Sequence, residues 1–333
     1  MAQSLSDEAF RLATVSAAGS PPFVVMVIDD TAVALAAAAS ACSAAQPTTT
    51  VGIYELLQDW PRNFVALQEI AAAVRREGLD SDRWGAAAGP LDRLRFLPPI
   101  QRPGKMLYAA ANQPAHITEM ISATNLTGDM AKAAADRDKS RVRPYCFLKA
   151  PSALAGAFDD IVLPADVEML DWEVEIAVAI GRAAKRVPAE RALDYVAGFM
   201  TTNDLTSRDG QMRSDWQQFR IDWFTGKSHD GFAPMGPYFV PAAFVPDYGR
   251  LRMTLSVNGD LKQDGMTGEM VFSVEEQIAH GSSALTFLPG DILAAGTPGG
   301  VGHASGTYLR PGDIVETEVE TLGAQRARVV PET

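Results

Sequence analysis

The chain has 333 residues, which exceeds the usual size of one domain, so we expect two. Apolar residues make up 47% and charged residues 21% of the composition, which excludes a mainly disordered protein. The formal net charge of −12 repels phosphate backbones and no basic cluster is evident, so we expect no nucleic-acid partner. Cys42 and Cys146 form no CxxC motif, which argues against a disulfide framework or a zinc site.

The N-terminal part predicts a small α+β unit. Phe23–Ile28 is a β-branched run typical of a strand, and the alanine-rich stretch Thr31–Ala45 predicts a helix that the preceding aspartates can cap. At about 15 residues this helix is too short for a membrane span, and residues 1–20 lack the pattern of a signal peptide. We therefore expect a cytoplasmic protein with no membrane partner.

The stretch Gly85–Lys105 is rich in glycine and proline and predicts a domain boundary near residue 95. We expect a small domain over residues 1–95 and a larger one over residues 96–333. Because no GxGxxG motif follows a strand, a dinucleotide-binding fold has no support.

The larger domain has the pattern of an α+β fold with a mixed sheet. Met106–Ala111 predicts its first strand, Asn258-Gly259 predicts a hairpin turn, and Ser273–Phe287 is the one clear amphipathic helix. The polar segment between His116 and Arg143 predicts either a plain surface excursion or a mobile lid.

The sharpest chemical signal is the pair Glu173 and Glu175. Residues two apart on a strand share a face, so two carboxylates among apolar neighbours would repel each other. A hard divalent metal is the simplest compensation, while a solvent-exposed face is the alternative.

A second signal lies in Asn203–Gln211, directly after an apolar run. Asp204 can complete a three-carboxylate metal site, and Arg208 with Gln211 can hold a substrate carboxylate or carbonyl. The alternative is a capped loop in which Arg208 pairs with Asp209.

Three weaker signals complete the set. The glycine-rich turn Gly290–Gly302 can bind a carboxylate through backbone N–H groups, or it is a plain turn. His116 and Glu119 share a helix face, which suits either a general base or a surface pair. Lys227 lies in a loop rich in glycine and proline, where a surface lysine is the default interpretation.

Together and in this order, these segments resemble the fumarylacetoacetate hydrolase family over about Lys105–Val319. Six stretches carry the resemblance: Asn112-x-x-x-His116-x-x-Glu119, Phe147–Leu154, Asp171–Gly181, Asn203–Gln211, Gly226–Pro237 and Gly290–Gly302. Each is weak alone, but six in order favour the chemical interpretation of the matching residues.

The resemblance implies a mixed β-sandwich roll for the larger domain, and a homodimer. It implies a divalent metal, commonly Mg²⁺ with Mn²⁺ or Ca²⁺ as alternatives, held at the positions of Glu173, Glu175 and Asp204. It further implies that His116 and Glu119 activate a water, and that Lys227 and Thr297 contact a small oxo-acid substrate.

The implied reaction is hydrolysis of a C–C bond in an acylpyruvate-like or 2,4-dioxo acid, with the metal as Lewis acid and His116 as base. Decarboxylase, hydratase or isomerase chemistry at the same site is the alternative. A non-catalytic binding subunit is a third, against which the intact candidate residues argue. Two departures concern the substrate: Gln113 stands where close members usually have tyrosine, and the stretch Thr124–Arg143 is long.

Overall fold

A computed structural model describes residues 8–17, 20–42, 46–79, 84, 89–91, 94–124, 136, 138–139, 141–213, 215 and 220–333. The segment considered above as a lid runs from His116 to Arg143, and most of its part after Thr124 lies outside these residues. Within the described ranges, every helix is too short or too polar to cross a membrane.

The N-terminal part is a five-stranded antiparallel sheet with helices beside it. The strands are β1 (Arg11–Ser16), β2 (Phe23–Ile28), β3 (Thr31–Ala34), β4 (Gly89–Pro90) and β5 (Arg95–Leu97). Their order in the sheet is β4-β3-β2-β1-β5. Three helices accompany them, namely α1 (Leu35–Ala41), α2 (Ile53–Leu57) and α3 (Trp60–Glu77).

The prediction that the alanine-rich helix starts at Thr31 is wrong. Thr31–Ala34 pairs with β2 as a strand, and the helix begins only at Leu35. Asp29 and Asp30 do not cap it; they form the β2–β3 turn with φ of 46° and 61°, a conformation that aspartate tolerates. Sheet pairing thus outweighs the helix propensity of alanine here.

The larger part contains a mixed eight-stranded sheet. Its strands are β6 (Met106–Ala110), β7 (Tyr145–Lys149), β8 (Leu154–Gly156), β11 (Val174–Ile180), β12 (Val196–Asn203), β14 (Ala233–Met235), β15 (Val240–Pro241) and β18 (Ile292–Ala294). They lie in the order β7-β6-β18-β11-β12-β14-β8, with β15 also paired to β12. The pairs β6–β18 and β8–β14 are parallel.

A second, five-stranded sheet has the order β17-β16-β19-β20-β9, and a two-stranded sheet joins β10 to β13. The strands are β9 (Ile161–Leu163), β10 (Leu170–Asp171), β13 (Thr206–Ser207), β16 (Arg252–Val257), β17 (Asp260–Met266), β19 (Ile314–Val319) and β20 (Gly323–Pro331). Asn258 and Gly259 connect β16 to β17 with φ of 55° and 84°, so the predicted hairpin turn is confirmed.

The helices of this part are short: α4 (Pro114–Thr124), α5 (Arg208–Gln211), α6 (Trp223–Lys227), α7 (Val274–Ala284) and α8 (Gly302–Ser305). Short 3₁₀ segments occur at Pro151–Ala153, Ala189–Tyr195, Ala242–Phe244, Tyr248–Arg250 and Thr267–Glu269. Ser273 begins α7 with a capping box to Glu276, and the helix ends three residues before the expected Phe287.

The two large sheets pack face to face, with β11 and β12 against β16 and β19. Every residue of β11 and β12 is buried, so side chains on both faces of these strands are shielded from water. One continuous cluster of buried apolar side chains includes residues of the N-terminal part and of the larger part. Strand β5 extends past residue 95, where the boundary was expected, because it pairs with β1.

Candidate active site

Three acidic side chains meet where β11 begins and β12 ends. Glu173 directly precedes β11, Glu175 lies within it, and Asp204 directly follows β12, its antiparallel neighbour. The Asp204 N–H donates to the Glu173 carbonyl at 2.8 Å, which holds the two segments together. One carboxylate oxygen from each residue lies within 4.8 Å of the others, and all three residues are buried. The exposed-face alternative for the two glutamates is therefore wrong.

Cations neutralise two of the three carboxylates. Lys227 Nζ lies 2.9 Å from Glu173 Oε2 and 2.5 Å from Asp204 Oδ2, while Arg208 Nη2 lies 2.6 Å from Glu173 Oε1. Burial by itself raises the pKa of Glu173, but Lys227 and Arg208 outweigh it and hold the pKa well below its ordinary value. Lys227 is thus a buried residue of the cluster and not a surface lysine.

Glu175 has no such cation. Its Oε2 accepts the Gly296 N–H at 2.8 Å, and its buried Oε1 has no hydrogen-bond partner among the described residues. Burial, followed by the charges of Asp204 and Glu173, raises the pKa of Glu175 well above its ordinary value. An all-oxygen cluster with one unsatisfied buried carboxylate oxygen fits a hard divalent cation, which would compensate the negative charge that the side chains leave.

The glycine-rich turn after β18 binds carboxylates of the protein itself. The N–H groups of Gly296, Gly300 and Gly302 donate to Glu175, Glu119 and Asp171 at 2.8, 2.7 and 2.6 Å. Gly296 needs to be glycine: its φ is +109°, and a Cβ there would lie 2.7 Å from the Asn112 Cβ. The turn therefore orients three acidic side chains of the site.

His116 and Glu119 form a pair on α4, with 3.0 Å between His116 Nδ1 and Glu119 Oε1. Glu119 Oε2 accepts the Gly300 N–H, so the glycine-rich turn fixes the carboxylate that orients the imidazole. When Nδ1 carries the proton shared with Glu119, Nε2 retains a lone pair that can accept another.

Arg208 is held by groups that sequence reasoning did not assign to it. Its Nε donates to Asp171 at 2.8 Å and its Nη1 to Gln211 Oε1 at 3.3 Å, whereas the alternative pairing with Asp209 does not occur. Asp209 instead accepts the Glu168 N–H at 2.6 Å. Asp171 also contacts the site. It opens the stretch Asp171–Gly181 that carries the resemblance, but no spacing to another acid singled it out as a partner of Arg208.

Replacing Asp171 with asparagine is expected to lower the free energy of unfolding by about 3 kcal/mol, because it leaves the buried Arg208 with one fewer counter-charge. Asp264→Asn is the matched control, since its ion pair with Arg252 is exposed and contributes about 0–1 kcal/mol. Urea denaturation of the three proteins measures the difference. Equal losses in both variants would contradict a structural role for the buried pair.

Lys149 is a second residue that the sequence did not single out. Its Nζ donates to Asp204 Oδ1 at 2.5 Å and to the Phe232 carbonyl at 2.5 Å, within a fully buried environment. Burial lowers its pKa to about 8, although the Asp204 charge opposes this shift. In the sequence, Lys149 ends the apolar run Tyr145–Lys149. A lysine in that position is usually exposed, so its place in the sequence gave little indication that it is buried.

A pocket opens beside this cluster. Thr297, whose Oγ1 accepts from Gln263 Nε2 at 2.8 Å, is one of its buried lining residues. We call the buried end the pocket floor; it consists of His116, Glu173, Arg208, Gln211, Lys227 and Thr297. Glu119, Glu175 and Asp204 lie next to floor residues but do not themselves line the pocket. The nine candidate residues thus lie close together, although not all of them reach the pocket surface.

Comparison with known proteins agrees with this architecture. The family description "Fumarylacetoacetate (FAA) hydrolase C-terminal" matches residues 105–330. The chain is 37% identical over 243 residues to oxaloacetate tautomerase FAHD2A, mitochondrial, of Homo sapiens, covering 72% of this chain and 71% of that protein.

Two solved structures share the fold over nearly the whole chain. A probable 2-hydroxyhepta-2,4-diene-1,7-dioate isomerase from Mycobacterium abscessus has a TM-score of 0.70 and 27% identity, covering 98% of this chain and 99% of its own. Maleylpyruvate hydrolase from Sphingobium sp. SYK-6, in complex with manganese(II) and pyruvate, has a TM-score of 0.69 and 28% identity, covering 97% and 100%.

The fold and site define a metal-binding class of enzyme built on a mixed β-sandwich roll. The chain belongs to the fumarylacetoacetate hydrolase family, and the expected α+β fold with a mixed β-sandwich roll is confirmed. The family contains hydrolases, isomerases and a tautomerase, so membership establishes an enzyme without selecting its reaction.

Proposed function

We propose that this protein hydrolyses a C–C bond in an acylpyruvate-like or 2,4-dioxo acid, with a divalent cation held by Glu173, Glu175 and Asp204. The observation that carries the proposal is the His116–Glu119 pair, because a carboxylate-oriented imidazole lines the same pocket as Glu173 and Lys227. The solved maleylpyruvate hydrolase with manganese(II) and pyruvate supports both the reaction class and the cation.

The roles of the side chains follow from their positions. His116 Nε2 takes a proton from a water molecule, whose oxygen attacks the carbonyl distal to the 2-oxo acid. Breaking the C–C bond releases a carboxylic acid, and the electron pair remains on the 2-oxo acid fragment, whose methylene carbon then takes a proton from His116. A cation at the carboxylate cluster would supply Lewis-acid stabilisation of negative charge; Mg²⁺ is our first choice, with Mn²⁺ or Ca²⁺ as alternatives.

Substrate binding is assigned to the remaining residues of the pocket floor. Arg208 and Gln211 already contact each other, so they present a fixed donor set to a substrate oxygen. Lys227 lies between Glu173 and Asp204 and is placed to donate to negative charge that develops in the pocket. Thr297 offers a hydroxyl from the glycine-rich turn.

A second candidate is keto–enol tautomerisation of a 2-oxo acid, favoured by the 37% identity to an oxaloacetate tautomerase. The same imidazole can move a proton between carbon and oxygen without any attack by water. Product analysis decides between them. Acetylpyruvate incubated with enzyme and Mg²⁺ should yield pyruvate and acetate; enol decay of oxaloacetate with no product from acetylpyruvate would select the tautomerase.

We also propose that residues 96–333 act as the catalytic domain, with residues 1–95 as a smaller domain that supports it, and that the chain forms a homodimer. All nine candidate residues lie in the larger part.

Sedimentation equilibrium tests the proposed homodimer. A measured mass of one chain would contradict it.

A further inference from the structure

One wall of the pocket is aromatic from its buried end to its surface. Phe147 lies next to the pocket floor, since Lys227 Nζ lies 5.4 Å from its ring centroid. Trp223 stacks on Phe147 with a centroid distance of 4.6 Å and an interplanar angle of 5°. Tyr145 meets Trp223 edge to face at 5.5 Å and is 52% exposed. These three residues form what we call the aromatic wall.

The aromatic wall is held in place by its own contacts. Trp223 Nε1 donates to the Tyr145 hydroxyl at 3.0 Å, and Trp223 begins the short helix that carries Lys227. Asp222 caps this helix by accepting the backbone N–H groups of Phe224 and Thr225. Because the indole is fixed by a hydrogen bond and by stacking, it offers a rigid surface at small entropic cost.

Apolar side chains also line most of the rest of the outer pocket. Met212 and Ile221 pair as an antiparallel bridge and are 40% and 37% exposed. Met120 of α4 and the alanines at the end of β6, Ala109–Ala111, complete the lining. Together with Tyr145 and Trp223, we call these residues the pocket mouth. Large apolar side chains exposed together around one opening indicate a surface that a ligand covers.

Charge is distributed very unevenly along the pocket. Among the described lining residues, the acidic and basic side chains lie at the pocket floor, with the cation Arg220 as the exception. Arg220 is exposed, so a carboxylate placed there would remain in water and gain little. An uncharged group at the mouth would instead remove apolar surface from water on both partners.

We propose that the pocket mouth binds an uncharged, flat apolar substituent at the distal end of the 2-oxo acid, with Trp223 as the residue that determines this specificity. The substrate class is therefore an aroylpyruvate or a 2-oxo acid with a comparable unsaturated apolar tail, and not a dicarboxylic acid. This inference rests on the proposed function for the polar end of the substrate, which occupies the pocket floor.

Inert ligands test the inference without requiring turnover. Oxamate, N-phenyloxamate and N-(4-carboxyphenyl)oxamate share the 2-oxo acid end and differ only in the distal group. Isothermal titration in saturating MgCl₂ should show N-phenyloxamate binding about tenfold more tightly than oxamate, because a ring stacked on an aromatic side chain is buried. The carboxyphenyl compound should bind more weakly than the phenyl compound.

Variants assign the preference to the aromatic wall. Trp223→Ala should bring the Kd values of N-phenyloxamate and oxamate to within about threefold of each other. Trp223→Phe should restore most of the preference for the phenyl compound. Phe224→Ala is the matched control, since Phe224 is the adjacent residue, is 73% exposed and does not line the pocket. If Trp223→Ala does not fold, Tyr145→Ala provides a second comparison, with a smaller loss of preference.

The outcomes separate this inference from the proposed function. Equal affinities for oxamate and N-phenyloxamate would overturn the apolar pocket mouth alone. The same conclusion would follow if the carboxyphenyl compound bound most tightly and Arg220→Ala removed that affinity. A preserved phenyl preference without C–C cleavage of benzoylpyruvate overturns the hydrolase alone. Binding of none of the three oxamates overturns both.

Discussion

Replacing Glu175 with glutamine is expected to abolish the rise in melting temperature that Mg²⁺ or Mn²⁺ causes in the parent protein. Glu175 is the carboxylate with a buried oxygen that no described side chain or backbone group satisfies, so it is the acid on which a cation has most effect. A ligand at about 100 times its Kd stabilises a protein by about 2.7 kcal/mol, which corresponds to several degrees. Differential scanning calorimetry with and without 5 mM MgCl₂, a concentration chosen as roughly saturating, measures the rise.

The metal-free Glu175→Gln protein should be at least as stable as the parent. Glutamine keeps an oxygen for the Gly296 N–H and removes a charge next to Asp204 and Glu173. Glu318→Gln on the exposed face of β19 is the matched control and should retain the full metal response. A parent protein that does not respond to either cation, or a Glu175→Gln protein that responds fully, would falsify the proposed metal site.

Replacing His116 with glutamine is expected to reduce kcat for C–C cleavage by about 10²–10⁴-fold while leaving the metal-dependent rise in melting temperature in place. The imidazole is the base that we assign to the reaction, and it is not one of the three clustered carboxylates. Loss of the enol absorbance of acetylpyruvate, confirmed by the pyruvate formed, measures kcat.

Two further variants test whether the loss reflects the base itself. Glu119→Gln should also lower kcat, because its amide oxygen accepts the Gly300 N–H and its NH₂ group then faces His116 Nδ1, which favours the tautomer with the proton on Nε2. His280→Gln, which alters a histidine on α7 outside the pocket, should leave kcat unchanged. A His116→Gln enzyme with full activity would assign proton transfer to another group.

The burial of the acidic cluster could not be derived from local pattern. The alternation around Glu173 and Glu175 is equally compatible with a solvated sheet face, and only the packing of β11 and β12 against the second sheet shields both faces. Local pattern was a better guide in the C-terminal half, where the Asn258-Gly259 turn and the Ser273 cap depend on neighbouring residues alone. It failed at Thr31–Ala34, where hairpin pairing with the preceding strand β2 decided the conformation.

The primary structure by itself determined which chemical groups the side chains carry. Six stretches of residues in a particular order also determined the family to which the chain belongs. The primary structure also determined the His116–Glu119 pair, because one helical turn brings those two side chains together. Only the tertiary structure decided that Lys149 and Asp171 belong to the site, that the glycine-rich turn binds the protein's own carboxylates, and that an aromatic wall extends from the pocket floor. The physical reason is that ion pairs and ring contacts require separations of a few ångströms. Folding brings residues that are far apart in the chain to such distances.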